Sequence, residues 1–367
     1  MPYPSPNYTV SFSNDLVPFK VRSQYFEEYL GLTPLTVFMG TSPNDAIQLF
    51  EMQNGDGMSF RVGFRKELDY SSPIIGFNQA AGSEQQVQIY SDEIKLDLLR
   101  FADSMMGVPF VKKLTPVDVF EALRPLLMNA QQRYLIQSIL ASATTGLYAP
   151  ATQGPIQGRV VYGAGAYNEV ITTAVAAMGA ATPAADGCSV AHLRKLKSIA
   201  IQGGETYEAE SRIKPITIRS KRGFPEEVYV YLMDPNSYVS LSADPAWNQF
   251  MYRGVIQGDD QPEGISGARY RGMVEGILVY ECPELSKYRH TAAGAKIAAW
   301  NLFLGAQAIG LCWARRPWFE MESRDFNLNQ AMAVCEIRGQ KAFTYTSFAN
   351  PAKLAERGII HSFVRIA

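Results

Sequence analysis

Between Met58 and Arg65 apolar and polar positions alternate strictly: Met58, Phe60, Val62 and Phe64 are apolar, and Ser59, Arg61, Gly63 and Arg65 are not. A period of two predicts a strand with one wet face. Over 85–99, Val87 and Ile89 keep that period, and Ile94, Leu96 and Leu98 resume it after a polar break. Between the two segments lie Ser71-Ser72-Pro73 and a run of Gly, Asn, Gln and Ala that cannot fill a core. A long hairpin with so thin an apolar face needs a surface outside its own domain to lie on. It points to an assembly subunit before it points to an enzyme.

The period changes over 112–143 to that of a helix. Thr115 is placed to cap it, Pro116 takes the first helical position, and Asp118 puts a carboxylate in the first turn. Val119, Leu123, Leu126, Leu127, Tyr134, Leu135, Ile139 and Leu140 then recur on one face. Pro125 is expected to kink or break the helix, since it removes a backbone donor and crowds the preceding turn. From 117 to 142 such a helix spans roughly 35–40 Å, the length of a strut. The Gly- and Ala-rich stretch 143–165, with Pro150 and Pro155, reads as a loop, and 167–178 as a helix. Ser189 caps a helix through Ile201 with Leu193, Leu196 and Ile199 or Ala200 facing inward, and Gly203-Gly204 stops it.

After Pro215 short β-branched and aromatic runs predict strands at 216–218, 228–232 and 276–280, then at 331–338, 342–348 and 361–366. Asp234-Pro235 starts a turn into 238–243, the segment 247–262 reads as irregular, and 298–310 is a buried strand with a turn or a small helix. Residues 1 to 25, with Pro2, Pro4 and Pro6, read as an arm that orders on a partner. The class is α+β.

The 367 residues suffice for two modest domains or one large body with projections. A charged content of 19% is low, which suits a surface that neighbours cover. The formal charge of -1 excludes a strongly basic protein devoted to neutralising phosphates. Cys188, Cys282, Cys312 and Cys335 are far apart and form no CxxC, so buried free thiols are expected rather than a zinc site. The start lacks the basic and apolar regions of a signal peptide, and no stretch reaches the length of a membrane helix. A soluble protein made in a reducing cytoplasm is expected.

Catalytic, cofactor and metal motifs are missing. His192, in Ala-His-Leu-Arg-Lys, reads as a surface or capping residue, Asp234 as a cap, and Asp259-Asp260 with Glu263 as a solvated acidic loop. Arg212, Lys214, Arg219, Lys221 and Arg222 form the densest basic region; they face packaged nucleic acid or pair with acidic groups on an adjacent subunit. Arg315-Arg316-Pro317-Trp318 suits a stacked or buried ionic contact as well as stacking on nucleic acid. For both clusters the structural contact is the favoured reading.

Several strings, in this order, resemble the major capsid proteins of tailed bacteriophages, in the branch typified by the N4-like phage capsid protein. They are Gly57-Met58-Ser59-Phe60-Arg61-Val62, Ile89-Tyr90-Ser91-Asp92-Glu93-Ile94, Leu114-Thr115-Pro116-Val117-Asp118, Tyr229-Val230-Tyr231-Leu232-Met233-Asp234-Pro235 with Tyr238, the 247–258 region, Gly276-Ile277-Leu278-Val279-Tyr280-Glu281 and Leu304-Gly305-Ala306-Gln307-Ala308. The resemblance implies an HK97-like fold: an N-terminal arm and the start of a peripheral domain over 1–50, an extended E-loop within 51–100, and a peripheral domain over 101–215. That domain would carry a spine helix at 116–142 and a possible inserted loop at 144–188. An axial domain would follow over 216–310, and 311–367 would return to the peripheral domain.

The implied function is mechanical: hexamers and pentamers of the chain close an icosahedral head around double-stranded DNA held without sequence preference. Scaffolding and portal proteins are implied partners, a cement or decoration protein is a further one, and no membrane is involved. The chain would be assembled in the host cytoplasm and reside in the virion. Because it starts at Met1 without a recognisable scaffolding segment, a separate scaffolding protein is expected. Arg61, Arg65, Ile89, Tyr90, Arg315, Arg316 and Trp318 are the candidate contacts between subunits. An encapsulin-like or other self-assembling shell is the first alternative, and a metabolic enzyme the more distant one.

Overall fold

Every side chain from Val228 to Met233 is buried, and a strand that is apolar on both faces belongs in a sheet covered on both sides. The computed structural model of the chain puts it there. The structure describes residues 34–52, 57–65, 89–106, 119–145, 159–163, 165–168, 187–204, 211–219, 225–257, 269–292, 295–324, 328–346 and 354–366. These fall into two compact units, a smaller one from the segments 98–134 and 317–336, and a larger one from 32–97, 135–316 and 337–367.

In chain order the strands are β1 (Met39–Gly40), β2 (Ile47–Glu51), β3 (Ser59–Arg65), β4 (Ile89–Lys95), β5 (Asp97–Met106), β6 (Val160–Tyr162), β7 (Ala166–Asn168), β8 (Ile216–Arg219), β9 (Pro225–Met233), β10 (Tyr270–Val274), β11 (Ile277–Glu281), β12 (His290–Ala292), β13 (Ala295–Leu304), β14 (Ile309–Arg324), β15 (Asn329–Ala342), β16 (Thr344–Thr346), β17 (Leu354–Glu356) and β18 (Ile359–Arg365). The α-helices are α1 (Val119–Thr145), α2 (Val190–Gln202), α3 (Pro235–Ser242) and α4 (Pro245–Gln257).

The larger unit is organised by a nine-stranded sheet in the order β10-β11-β9-β13-β18-β6-β7, with β12 on β13 and β8 on β9. Strand β9 lies between β11, in parallel, and β13, antiparallel. Its alternate residues divide between two cores. Val228, Val230 and Leu232 share one with Trp300 and with Ile139 and Leu140 of α1. Tyr229, Tyr231 and Met233 share the other with Leu193 and Leu196 of α2 and Trp247 of α4. The last strand, β18, lies beside β13 with Phe363 opposite Trp300. Strands β3 and β4 form a separate two-stranded ribbon. In the smaller unit Leu127 is buried against Met332 and Val334, with Phe101 and Phe319 packed alongside, and the Arg124 guanidinium sits 4.7 Å from the centre of the Phe319 ring.

Local signals are met among the described residues. Ser189 Oγ accepts the His192 N–H at the start of α2, and Gly203, at φ 91°, donates its N–H to the Ile199 carbonyl at the end. Ile199 and Ala200 are both buried. Asp234 caps α3 by accepting the Asn236 N–H at 2.8 Å. Of the two readings of 298–310 the strand and turn is found, β13 ending at Leu304.

Other expectations need correction. Of the two outcomes expected at Pro125 the break does not occur, since α1 is continuous from Val119 to Thr145; the missing donor removes one backbone bond, and burial of Leu127, Ile136, Ile139 and Leu140 holds the rest. The start signals Thr115, Pro116 and Asp118 lie outside the described residues. The irregular segment at 247–262 is helix α4 as far as Gln257, started by Asp244, whose carboxylate accepts the Ala246 N–H at 2.9 Å. Within 144–188, β6 pairs in parallel with β18 and β7 pairs with β6, so part of this stretch is sheet rather than loop. Tyr167 and Asn168 belong to β7, and the remainder of the helix expected to 178 lies outside the described residues.

Candidate functional site

The β3–β4 ribbon is antiparallel, and its register places Phe60 opposite Ile94, Arg61 opposite Glu93, Val62 opposite Asp92, Phe64 opposite Tyr90 and Arg65 opposite Ile89. Directly opposed residues share a face. The outer face therefore carries Arg61, Gly63 and Arg65 from β3 with Ile89, Ser91 and Glu93 from β4, and all but the partly covered Glu93 are exposed. Ile89 is 70% exposed. Met58, just before the ribbon, is 81% exposed.

The inner face is not bare. Phe64, Ile94 and Leu96 are buried with Cys312 and Phe343, and Phe50, Phe60, Val62 and Tyr90 pack onto them. The Phe64 and Phe343 rings meet edge to face at 5.1 Å, and Phe50 lies 4.9 Å from Phe60. So the root of the hairpin lies on its own chain, where the sequence called for a surface outside its domain. The sequence misleads because Ser91-Asp92-Glu93 reads as a polar break. Asp92 in fact continues the inner row of Tyr90, Ile94 and Leu96, whereas Ile89, taken as part of that row, points outward. Asp92 pairs with Lys341 and accepts the Thr344 N–H at 2.9 Å and the Thr344 hydroxyl at 3.3 Å.

The other candidates scatter. Tyr90 faces inward and accepts a hydrogen bond from Arg357 at 3.0 Å. Arg315 is exposed. Arg316 donates through Nε to Glu51 at 2.8 Å and lies 5.8 Å from the Trp313 ring, an ionic and stacked contact made within the chain. Both members of this ion pair are more than half exposed, so it is not the buried ionic contact expected and contributes little to stability. Trp318 donates its indole N–H to Glu320 at 2.8 Å. In the basic region Arg212 donates to the Ile201 carbonyl at 3.0 Å, closing the end of α2. Lys214 is exposed, Arg219 ends β8, and Lys221 and Arg222 lie outside the described residues.

One cluster went unread in the sequence. His192 is wholly buried rather than on the surface. Its Nδ1–H donates to the Gly163 carbonyl at 2.9 Å, which leaves Nε2 to accept the Ser362 hydroxyl at 2.7 Å. The Tyr231 hydroxyl then donates to Ser362 at 3.0 Å. Burial pushes the His192 pKa down to about 4 and the Cys188 thiol, beside Tyr231, up to about 12. A serine on a histidine nitrogen is the beginning of a nucleophilic site. Here both side chains are closed off, and the second nitrogen faces a carbonyl instead of a carboxylate, so the cluster ties α2 to β18. His361, also buried, donates to Glu356 at 2.7 Å and accepts the Trp300 indole N–H at 3.2 Å. The acidic loop at Asp259, Asp260 and Glu263 lies outside the described residues. All four cysteines are free and buried. Among the described residues no group of His, Cys, Asp and Glu is arranged to hold a metal, and no helix is long and apolar enough to cross a membrane.

The described residues hold a large mixed sheet, a long helix and a two-stranded ribbon. The chain is similar to the capsid of cyanophage Pam1, at 18% identity over 98% of this chain and 99% of that one, with a TM-score of 0.71. It is similar to the head structure of Helicobacter pylori bacteriophage KHP40, at 15% identity over 99% of both chains and a TM-score of 0.72. The capsid of Ralstonia phage GP4 matches at 19% identity over 98% of both, with a TM-score of 0.70. These likenesses define the class: an HK97-like capsid fold. No match was found among curated proteins. Residues 9–359 match the phage capsid protein family, and the chain belongs to that family. It is a major capsid protein, a structural component of the phage head shell built from copies of itself. The family description does not single out the N4-like branch.

Proposed function

We propose that copies of the chain pack as hexamers and pentamers into an icosahedral head around double-stranded DNA, each ribbon lying on the neighbouring subunit as an E-loop. The observation that carries this reading is the division of the ribbon's faces. Its inner face is seated on its own chain, while Arg61, Arg65 and Ile89 stand on an outer face clear of that seat. Two cations beside an apolar side chain suit a carboxylate-bearing surface on the next subunit. There they set register and partner choice more than affinity. Many such contacts give a strong closed assembly from individually weak surfaces.

In this reading 51–100 is the E-loop, α1 the spine helix, 216–310 the axial domain and 101–215 with 311–367 the peripheral domain. A near-neutral chain with local basic groups suits a shell that encloses DNA without gripping it, since every strong phosphate contact opposes packaging and release. Scaffolding, portal and decoration proteins are the partners such a head needs, and assembly takes place in the host cytoplasm. An encapsulin-like compartment shares the fold class, and the family match favours the phage head. Deleting residues 78–86 tests the ribbon's role: the expected product is a folded subunit that forms no closed shells under the electron microscope. Normal particles would remove the E-loop from this account.

A further inference from the structure

Asp92 stands where the pattern of its strand calls for a hydrophobe. Tyr90, Ile94 and Leu96 occupy the same inner row, and a carboxylate taken from water among them is stable only while it is partnered. Its partners come from one place on the larger unit. Lys341, near the end of β15, pairs with Oδ1. Thr344, which opens β16, donates both its N–H and its hydroxyl to Oδ2, and the neighbouring Glu93 N–H donates to Oδ1 at 2.9 Å.

Two further contacts hold the same root. Arg357, which follows β17, lies with its guanidinium carbon 4.1 Å from the centre of the Phe64 ring. It also donates to the Tyr90 hydroxyl and to Gln307, and its own N–H donates to the Phe343 carbonyl at 2.9 Å. At Gly339 of β15 a Cβ would stand 2.1 Å from the Lys95 carbonyl oxygen, so this strand meets the end of β4 backbone to backbone. Apolar contact tolerates sliding and rocking, whereas hydrogen bonds fix direction. A slip of one residue would also replace Asp92 with Ser91 or Glu93 and turn the inner row outward.

We propose that Asp92, through Lys341 and Thr344, is a positioning residue that fixes the angle at which the β3–β4 ribbon leaves the body, and that this angle lets subunits close into shells of uniform size. The proposal rests on the docking of the ribbon on a neighbour described above. In the full chain, Asp92→Asn keeps the size of the side chain and removes its charge. The folded subunit is expected to show exchange of the Thr344 amide faster by about tenfold, and its particles to be broadened in size or left open by electron microscopy. Unchanged exchange at Thr344, or uniform closed particles despite faster exchange, would overturn it. If Asp92→Asn does not accumulate as a folded subunit, Lys341→Met removes the ionic partner with the Thr344 bonds retained and is read by particle size alone, where uniform closed particles again overturn the proposal. The deletion of 78–86 separates the two ideas. Normal shells from that deletion remove the docking itself; failed shells there with uniform Asp92→Asn shells remove only the positioning role.

Discussion

Along β9 both faces are covered and each side chain from Val228 to Met233 is buried, whereas along β4 burial alternates and one of the covered positions is a carboxylate. The first strand divides its residues between two cores and has no face left for another molecule. The second has one face seated on its own chain and one facing away. Under the proposed function, stability and assembly are carried by different strands: residues of β9 hold the subunit together, and residues of the ribbon's outer face join it to the next.

The largest expected effect tests this division directly. Leu232→Ala should cost about 2–5 kcal/mol in urea unfolding of the dissociated subunit, while Val62→Ala, on the partly covered inner face of the ribbon, should cost less than about 1.5 kcal/mol. Similar losses at the two positions would erase the distinction.

Acid should act on the sheet-bearing core through His192. Above pH 6.5, its ordinary value, the site is neutral in both the folded and unfolded chain. Below that the unfolded imidazole takes a proton that the buried one refuses until about pH 4, so stability falls as the pH falls. The loss from this site should reach about 3 kcal/mol by pH 4. Unfolding of the subunit measured from pH 7 to pH 4 should therefore have a shallower pH slope in His192→Gln than in the parent, and equal slopes would contradict this.

The smallest effect on the subunit belongs to the outer face. Arg61→Ala with Arg65→Ala should leave its unfolding within about 0.5 kcal/mol of the parent, yet shift the salt concentration at which assembled particles come apart. Particle sizing across a salt series that superimposes on the parent would count against a contact there.

The two regions also differ in how far they can be read from sequence. Ser189, Gly203 and Asp234 announce their helix ends because capping is decided within a few residues. The unbroken apolar run of β9 is equally local. The burial of His192 is set instead by where α2 lies against β18 and the turn at Gly163, partners far away in the chain. Strand β6 has three residues, too few for a period, and exists because β18 pairs with it. At Asp92 the polar letter was plain, but its place in an apolar row depended on the phase of β4, which the exposed Ile89 obscured. The order of short family-like strings carried the capsid assignment where none of these local features would have done so.

The burial of every native thiol has a practical side. Cys188, Cys282, Cys312 and Cys335 are shielded within the folded subunit, and burial raises the first three above the range in which a thiolate forms near neutral pH. A cysteine introduced in place of Arg61 would therefore offer maleimide reagents a handle unlike any the chain already has. Dyes or peptides attached there would report on the ribbon's outer face without competition from the interior.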